Sequence, residues 1–202
     1  MNSRKNIFRM TAAALLIALV FLFGMTPVGL IPLGFINITV LCVPVIIGTI
    51  TLGLRSGLVL GFCFGTASTM SMVGMSLTPP SALASALFAV SPLSAVLMCY
   101  LPRLLVPVVT YTLHAILQKR FKKIALPVSA AAGSLTNTVF YLGLMLLFYA
   151  LNGLDTASIL ALIAGTGLIA GSCEAIAAAL ITVPVVTALS KTPIGSYLGG
   201  KA

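Results

Sequence analysis

From Met10 to Leu54, and again from Ser56 to Pro102, the chain carries no charged side chain; from Ile124 to Ser190 only Asp155 and Glu174 interrupt the pattern. A water-soluble domain devotes about 25% of its residues to Asp, Glu, Lys and Arg. Here the charged share is 6% and the hydrophobic share 60%. There is too little charge to solvate a surface, and apolar runs of this length are accommodated only where a bilayer is the solvent. The chain reads as an all-α integral membrane protein.

Apolar runs bounded by Gly, Pro and charge place six helices, at about 8–24, 38–52, 54–75, 103–118, 125–150 and 158–189. The basic start with Arg4, Lys5 and Arg9 resembles a secretory signal, but the apolar segment after it is long and lacks a cleavage-site context, so it is expected to be retained as the first helix. Lys and Arg in short loops stay on the cytoplasmic side during insertion. With six crossings, ten of the 11 basic residues fall on one side: Arg4, Lys5, Arg9, Arg55, Lys119, Arg120, Lys122, Lys123, Lys191 and Lys201. The spacing therefore predicts one domain over 1–202, a six-helix membrane bundle with both the N and C termini cytoplasmic.

The other face receives loops 25–37 and 76–100, long, uncharged and rich in Pro and Gly. Such loops in a small protein read as lids rather than linkers. Segment 82–100 is apolar enough to pass as a seventh span. That choice would move the Lys119–Lys123 run outside, and Ser91-Pro92 interrupts it midway, so an ordered external loop or short interfacial helix is expected.

Several function classes are excluded by chemistry the chain lacks. A formal charge of +9 is scattered between apolar segments and forms no basic face with aromatic platforms for nucleic acid. Cys42, Cys63, Cys99 and Cys173 show no metal-ligand spacing and read as small buried hydrophobes, and one His makes no metal cluster; neither metal nor cofactor is expected. No GxSxG or HExxH is present. GSYLGGK at 195–201 has the spacing of a phosphate loop, but Ala202 stands where Ser or Thr and a helix start are needed, so ATP would have to be hydrolysed by another chain.

Polar groups within hydrocarbon are costly and therefore point to a site. The densest group is Gly133-Ser134-Leu135-Thr136-Asn137-Thr138, with Tyr141 one turn beyond Asn137. Glu174 lies near the middle of the sixth helix at similar depth. Thr110, Tyr111 and Arg103 belong to the fourth. Each has a bland alternative: Thr110 and Thr138 bonded to their own backbone, Glu174 protonated against a neighbouring helix, Arg103 anchored at headgroups, and His114 packed near the inner interface. Gly57, Gly61 and Gly65 in the third helix, and Gly167 and Gly171 in the sixth, allow close helix approach, which in the third helix reads as internal packing. Ala14 and Ala18 form a similar groove on the first helix that suits either internal packing or a separate subunit.

The stretches GLIPLGFINITVLCVPVIIGTITLGLRSGLVLGFCFGTAS (29–68), SPLSAVLMCYLPRLLV (91–106) and GSLTNTVFYLGLMLLFY (133–149), with the Glu-bearing sixth helix, resemble the substrate-binding S component of energy-coupling factor (ECF) vitamin transporters. The IPLGF loop, the following VP and LGxxxG, and the Pro102-Arg103 pair carry the similarity. It implies a six-helix bundle in the bacterial plasma membrane, with a pocket formed by helices four to six and closed by both lids. It also implies partners: a membrane coupling subunit, met through Ala14 and Ala18, and two cytoplasmic ATPases that drive inward release as the bundle reorients. GSLTNT most resembles the pantothenate type, with hydroxymethylpyrimidine and pyridoxine types close to it. For pantothenate, Arg103 would meet the carboxylate, Asn137, Tyr141 and Glu174 the amide and hydroxyls, with Thr136 and Tyr111 beside them, and Phe35 and Ile36 would exclude water. Glu174 would suit a neutral aminopyrimidine equally. A stand-alone proton-coupled transporter using Glu174 is the rival of another class, although no inverted repeat relates the two halves.

Overall fold

The computed structural model describes residues 2–27, 29–32 and 37–191. Among them are eight α-helices and one two-stranded hairpin. In chain order these are α1 (Asn2–Met25), β1 (Leu30–Pro32), β2 (Asn37–Thr39), α2 (Cys42–Leu52), α3 (Leu54–Met72), α4 (Ala82–Val90), α5 (Pro92–Arg120), α6 (Lys122–Leu151), α7 (Ala157–Leu162) and α8 (Leu168–Lys191). A π-helical turn over Ile163–Gly167 joins α7 to α8. β1 and β2 pair antiparallel, with Leu30 opposite Thr39 and Pro32 opposite Asn37.

Helices long and apolar enough to cross a membrane lie within α1, α5, α6 and α8, and α2 is a shorter apolar helix. Large apolar side chains such as Met10, Leu15, Leu22, Leu147, Ile169 and Leu180 face outward. Lipid tails are as apolar as leucine, so exposure on that scale costs nothing in a bilayer and would be ruinous in water.

Three expected boundaries change. The region 38–52 is not one helix: β2 occupies its start and α2 begins only at Cys42. The fourth helix begins at Pro92 rather than near 103, so only 82–90 of the expected external segment is a separate short helix. Ser91 is extended and Pro92 takes the first helical turn, where its missing N–H would have had no partner anyway. Ser91-Pro92 thus starts a helix instead of breaking one. The sixth expected helix is divided by the π turn.

Helix α2 sits at the centre, with ten of its 11 residues buried. Around it, Val20 of α1, Leu60 and Phe64 of α3, Val106 of α5, Ala130 of α6 and Ala178 of α8 close a common core. A second apolar cluster lies towards the end that carries α4, where Leu87, Met98, Met145, Tyr149 and Ile159 meet. The Tyr149 hydroxyl donates to the Leu83 carbonyl at 2.6 Å and ties α4 down onto α6.

The α3 glycines settle the packing question in favour of an internal role. A methyl on Gly57 would run into Thr49 and Pro107, on Gly61 into the Arg103 carbonyl, and on Gly65 into the Tyr100 ring. Only hydrogen at Cα lets α3 come this close to α2 and α5. The opposite is found for α1: Gly24 packs on Ala67, while Ala14 and Ala18 lie exposed on its outer side. Of the cysteines, Cys42 and Cys99 are buried as expected, Cys63 is half-buried and Cys173 is exposed; none of the four is in a disulfide.

Candidate functional site

Arg103 is 4% exposed in the middle of α5. The local sequence explains how its side chain is held. In an α-helix each carbonyl accepts the N–H four residues on. Pro102 has no N–H, so the Met98 carbonyl loses its helical donor. Arg103 Nη1 donates to that carbonyl at 3.1 Å. The guanidinium carbon then lies 4.5 Å from the centroid of the Tyr141 ring on α6 and 5.2 Å from that of Phe64 on α3. Nε has no hydrogen-bond partner among the described residues, and no carboxylate there pairs with the group.

Asn137 lies one turn from Tyr141 on α6, 4% exposed, and its Oδ1 has no partner among the described residues. Ser134 Oγ, on the same side of α6, is likewise buried and without a partner there. The next residue round the helix faces elsewhere: Thr138 donates to Glu174 Oε2 at 2.8 Å, and its methyl is in close contact with the space over Gly171. Thr138 is therefore not merely a backbone-bonded threonine. Its 3.5 Å contact to the Ser134 carbonyl is the longer one.

Of the remaining expected site residues, Thr136 donates to the Ala132 carbonyl of its own helix at 2.7 Å. Tyr111 is 43% exposed on the outside of α5 and is not brought to Arg103. Phe35 and Ile36 lie outside the described residues, as does part of the 25–37 loop. Thr110 is fully buried but does not bond its own helix: its hydroxyl sits against Gly133, without a partner among the described residues. Among the described residues no three His, Cys, Asp or Glu side chains gather as a metal site would require.

Phe64 was not among the expected site residues. Its signal was present in the α3 glycine stripe, which says that this face of α3 meets another helix without saying which. The Met98 carbonyl was equally readable, because Pro102 stands four residues after it.

The arrangement is a buried cation against two rings, with an amide and a hydroxyl of open hydrogen-bonding capacity one and two turns before Tyr141 on α6. Residues 8–186 match the family described as "ECF transporter, substrate-specific component". The chain is also similar to the pantothenic acid transporter PanT of Lactococcus lactis subsp. cremoris (strain MG1363), with 32% identity over 166 residues, covering 76% of this chain and 78% of that protein. A match along nearly the whole helical region makes this a multi-pass membrane transport subunit that works with the other components of an ECF transporter, and the chain belongs to the substrate-specific components of that family.

Proposed function

We propose that this chain is the vitamin-capturing subunit of an ATP-driven ECF importer and that its substrate is pantothenate. The observation that carries the reading is the buried Arg103 guanidinium without a carboxylate partner among the described residues. Desolvating a cation costs several kcal/mol, and a fold retains such a group where an anion completes it. Pantothenate supplies one carboxylate. On this reading its amide and two hydroxyls would meet Asn137, whose Oδ1 is an open acceptor, and Tyr141 beside the cation, with Glu174, which accepts from Thr138, as the third partner. The relative named for pantothenic acid supports the same substrate. Thr136 and Tyr111 contribute less, one being bonded to its own helix and the other facing outward.

The bundle crosses the bacterial plasma membrane six times as one domain over 1–202, with both termini cytoplasmic. An α2 of 11 residues is about 16 Å long; with the extended β2 and the residues between them it approaches the roughly 30 Å of hydrocarbon. Loop 25–37 and the segment 76–91 with α4 cover the pocket. The exposed face of α1 with Ala14 and Ala18 meets the membrane coupling subunit, which brings two cytoplasmic ATPases. ATP hydrolysis by those chains reorients the bundle and releases substrate inward.

Equilibrium binding of radiolabelled pantothenate, hydroxymethylpyrimidine and pyridoxine to the purified chain tests this. Pantothenate binds tightest, and Arg103→Ala weakens it by tenfold or more, about the value of one charge-assisted hydrogen bond. Binding of the pyrimidine alone overturns the substrate. Uptake by vesicles holding this chain alone under a proton gradient overturns the ECF mechanism, because it would make Glu174 a proton carrier.

A further inference from the structure

We infer that Phe64 and Pro102 are positioning residues for Arg103, which turn a flexible cation into a receptor with one fixed orientation for the substrate's carboxylate. The inference rests on the pantothenate reading above and extends it to two residues that need not touch the ligand.

Arginine has four side-chain torsions, and a buried arginine gains specificity only when they are locked. Three groups on three helices do this here. Pro102 leaves the Met98 carbonyl free of a helical donor, and Nη1 occupies it at 3.1 Å. Tyr141 and Phe64 lie over the guanidinium at 4.5 and 5.2 Å. Phe64 is fully buried in the core cluster around α2, so its ring is held by packing rather than free in solvent.

The approach of α3 that brings Phe64 there depends on Gly61, whose Cα faces the Arg103 carbonyl. That carbonyl is itself released from the helix ladder, because Pro107 stands four residues on and has no N–H. Both prolines of α5 therefore open backbone acceptors at this level, one used by the Arg103 side chain and the other covered by α3. A planar guanidinium held by Met98 at one nitrogen and by rings at its sides offers its remaining N–H groups in a fixed plane, the geometry that suits a carboxylate.

The test compares pantothenate with pantothenol, the alcohol analogue that has every other group but no carboxylate. Binding of both is measured by calorimetry on the purified full chain for the wild type, Pro102→Ala, Phe64→Leu, Phe64→Tyr and Arg103→Ala. Pro102→Ala restores a helical donor to Met98 and favours the helix, so it is expected to fold. The expected result is a loss of about tenfold for pantothenate in Pro102→Ala and Phe64→Leu, with pantothenol changed less than about twofold. Phe64→Tyr keeps a ring over the cation and retains most of the discrimination. Equal losses for both ligands, or no loss in either variant while Arg103→Ala abolishes discrimination, overturn the positioning role and leave the substrate reading standing. If Arg103→Ala itself does not change discrimination, the carboxylate does not meet Arg103, and the role of Arg103 falls together with the positioning role while pantothenate as substrate is decided by the binding comparison above.

Discussion

The guanidinium carbon of Arg103 lies 4.5 Å from the centre of the Tyr141 ring, which places the one basic group buried in α5 against the polar face of α6. A cation over a ring in a desolvated site gains about 2 kcal/mol. That is less than the several kcal/mol lost by removing it from water. The Phe64 ring and the Met98 carbonyl recover a further part, and on the reading proposed above an anion entering the site supplies the rest, so that affinity for an anion and reduced stability of the empty protein would be two consequences of one arrangement.

Replacing Arg103 by Met keeps the bulk and removes the charge. The ligand-free protein is expected to gain about 1–2 kcal/mol, as when other buried ions are replaced by apolar side chains of similar volume. Thermal unfolding in detergent measures this, with and without saturating pantothenate. The wild type is stabilised by ligand and the variant is not; a destabilised empty variant would show that the rings and the Met98 carbonyl already compensate the charge.

Gly61→Ala places a methyl against the Arg103 carbonyl at the α3–α5 crossing. Overpacking of this kind costs about 1–3 kcal/mol. Gly143→Ala on α6, where an added Cβ meets nothing within 4 Å, is the control and stays near the wild type. Midpoints of denaturant unfolding in mixed micelles separate the two, and equal midpoints would mean that α3 moves aside without penalty.

Thr138→Val keeps the shape that fills the space over Gly171 and removes the donor to Glu174 Oε2. Losing one hydrogen bond to a half-buried carboxyl group costs about 1–3 kcal/mol, whereas Thr138→Ser keeps the hydroxyl and most of the stability. Unfolding midpoints for the pair report the difference, and a Ser variant as weak as Val would assign the effect to packing of the methyl.

Asp155 lies outside the spans and holds the start of α7: its carboxylate accepts from Ser158 Oγ at 2.7 Å and from the Ala157 N–H at 3.0 Å. The Ser158 hydroxyl, followed by the Ala157 amide, keeps its pKa below the usual carboxylate value. Because the folded pKa is depressed, this contribution is complete above the unfolded value of about 3.9 and disappears as pH falls through the folded one. Protection of the Ala157 and Ser158 amides, taken relative to the intrinsic exchange rate at each pH, should therefore fall below that range. In Asp155→Ala the protection should be low already at neutral pH and independent of pH; protection unchanged in the variant would remove the capping role.

How much was readable beforehand differs from element to element. The distribution of charge alone placed the chain in a membrane, because no arrangement of so few ionised groups can solvate this much apolar surface. It also located the long helices to within a few residues at α3 and α6. The start of α5 was misplaced because Ser91-Pro92 is compatible with either breaking a helix or opening one, and the choice depends on whether the preceding chain turns away. It does so here because α4 is held on α6 through Tyr149 and Leu83.

The site divides in the same way. Arg103, Asn137, Tyr141 and Glu174 stood out because a polar group in an apolar run is expensive wherever the helices go, and that penalty can be read one residue at a time. Which of them meet could not be read so. Phe64 reaches Arg103 only because Gly61 lets α3 close on α5, and Thr138 rather than Asn137 meets Glu174 only because of how α6 is rotated against α8. The amino-acid sequence by itself determined the solvent, the helical class and the list of costly polar groups, since each follows from local composition. The partners of those groups were decided by tertiary structure, since helix rotation and crossing distance are set by contacts between segments far apart in the chain.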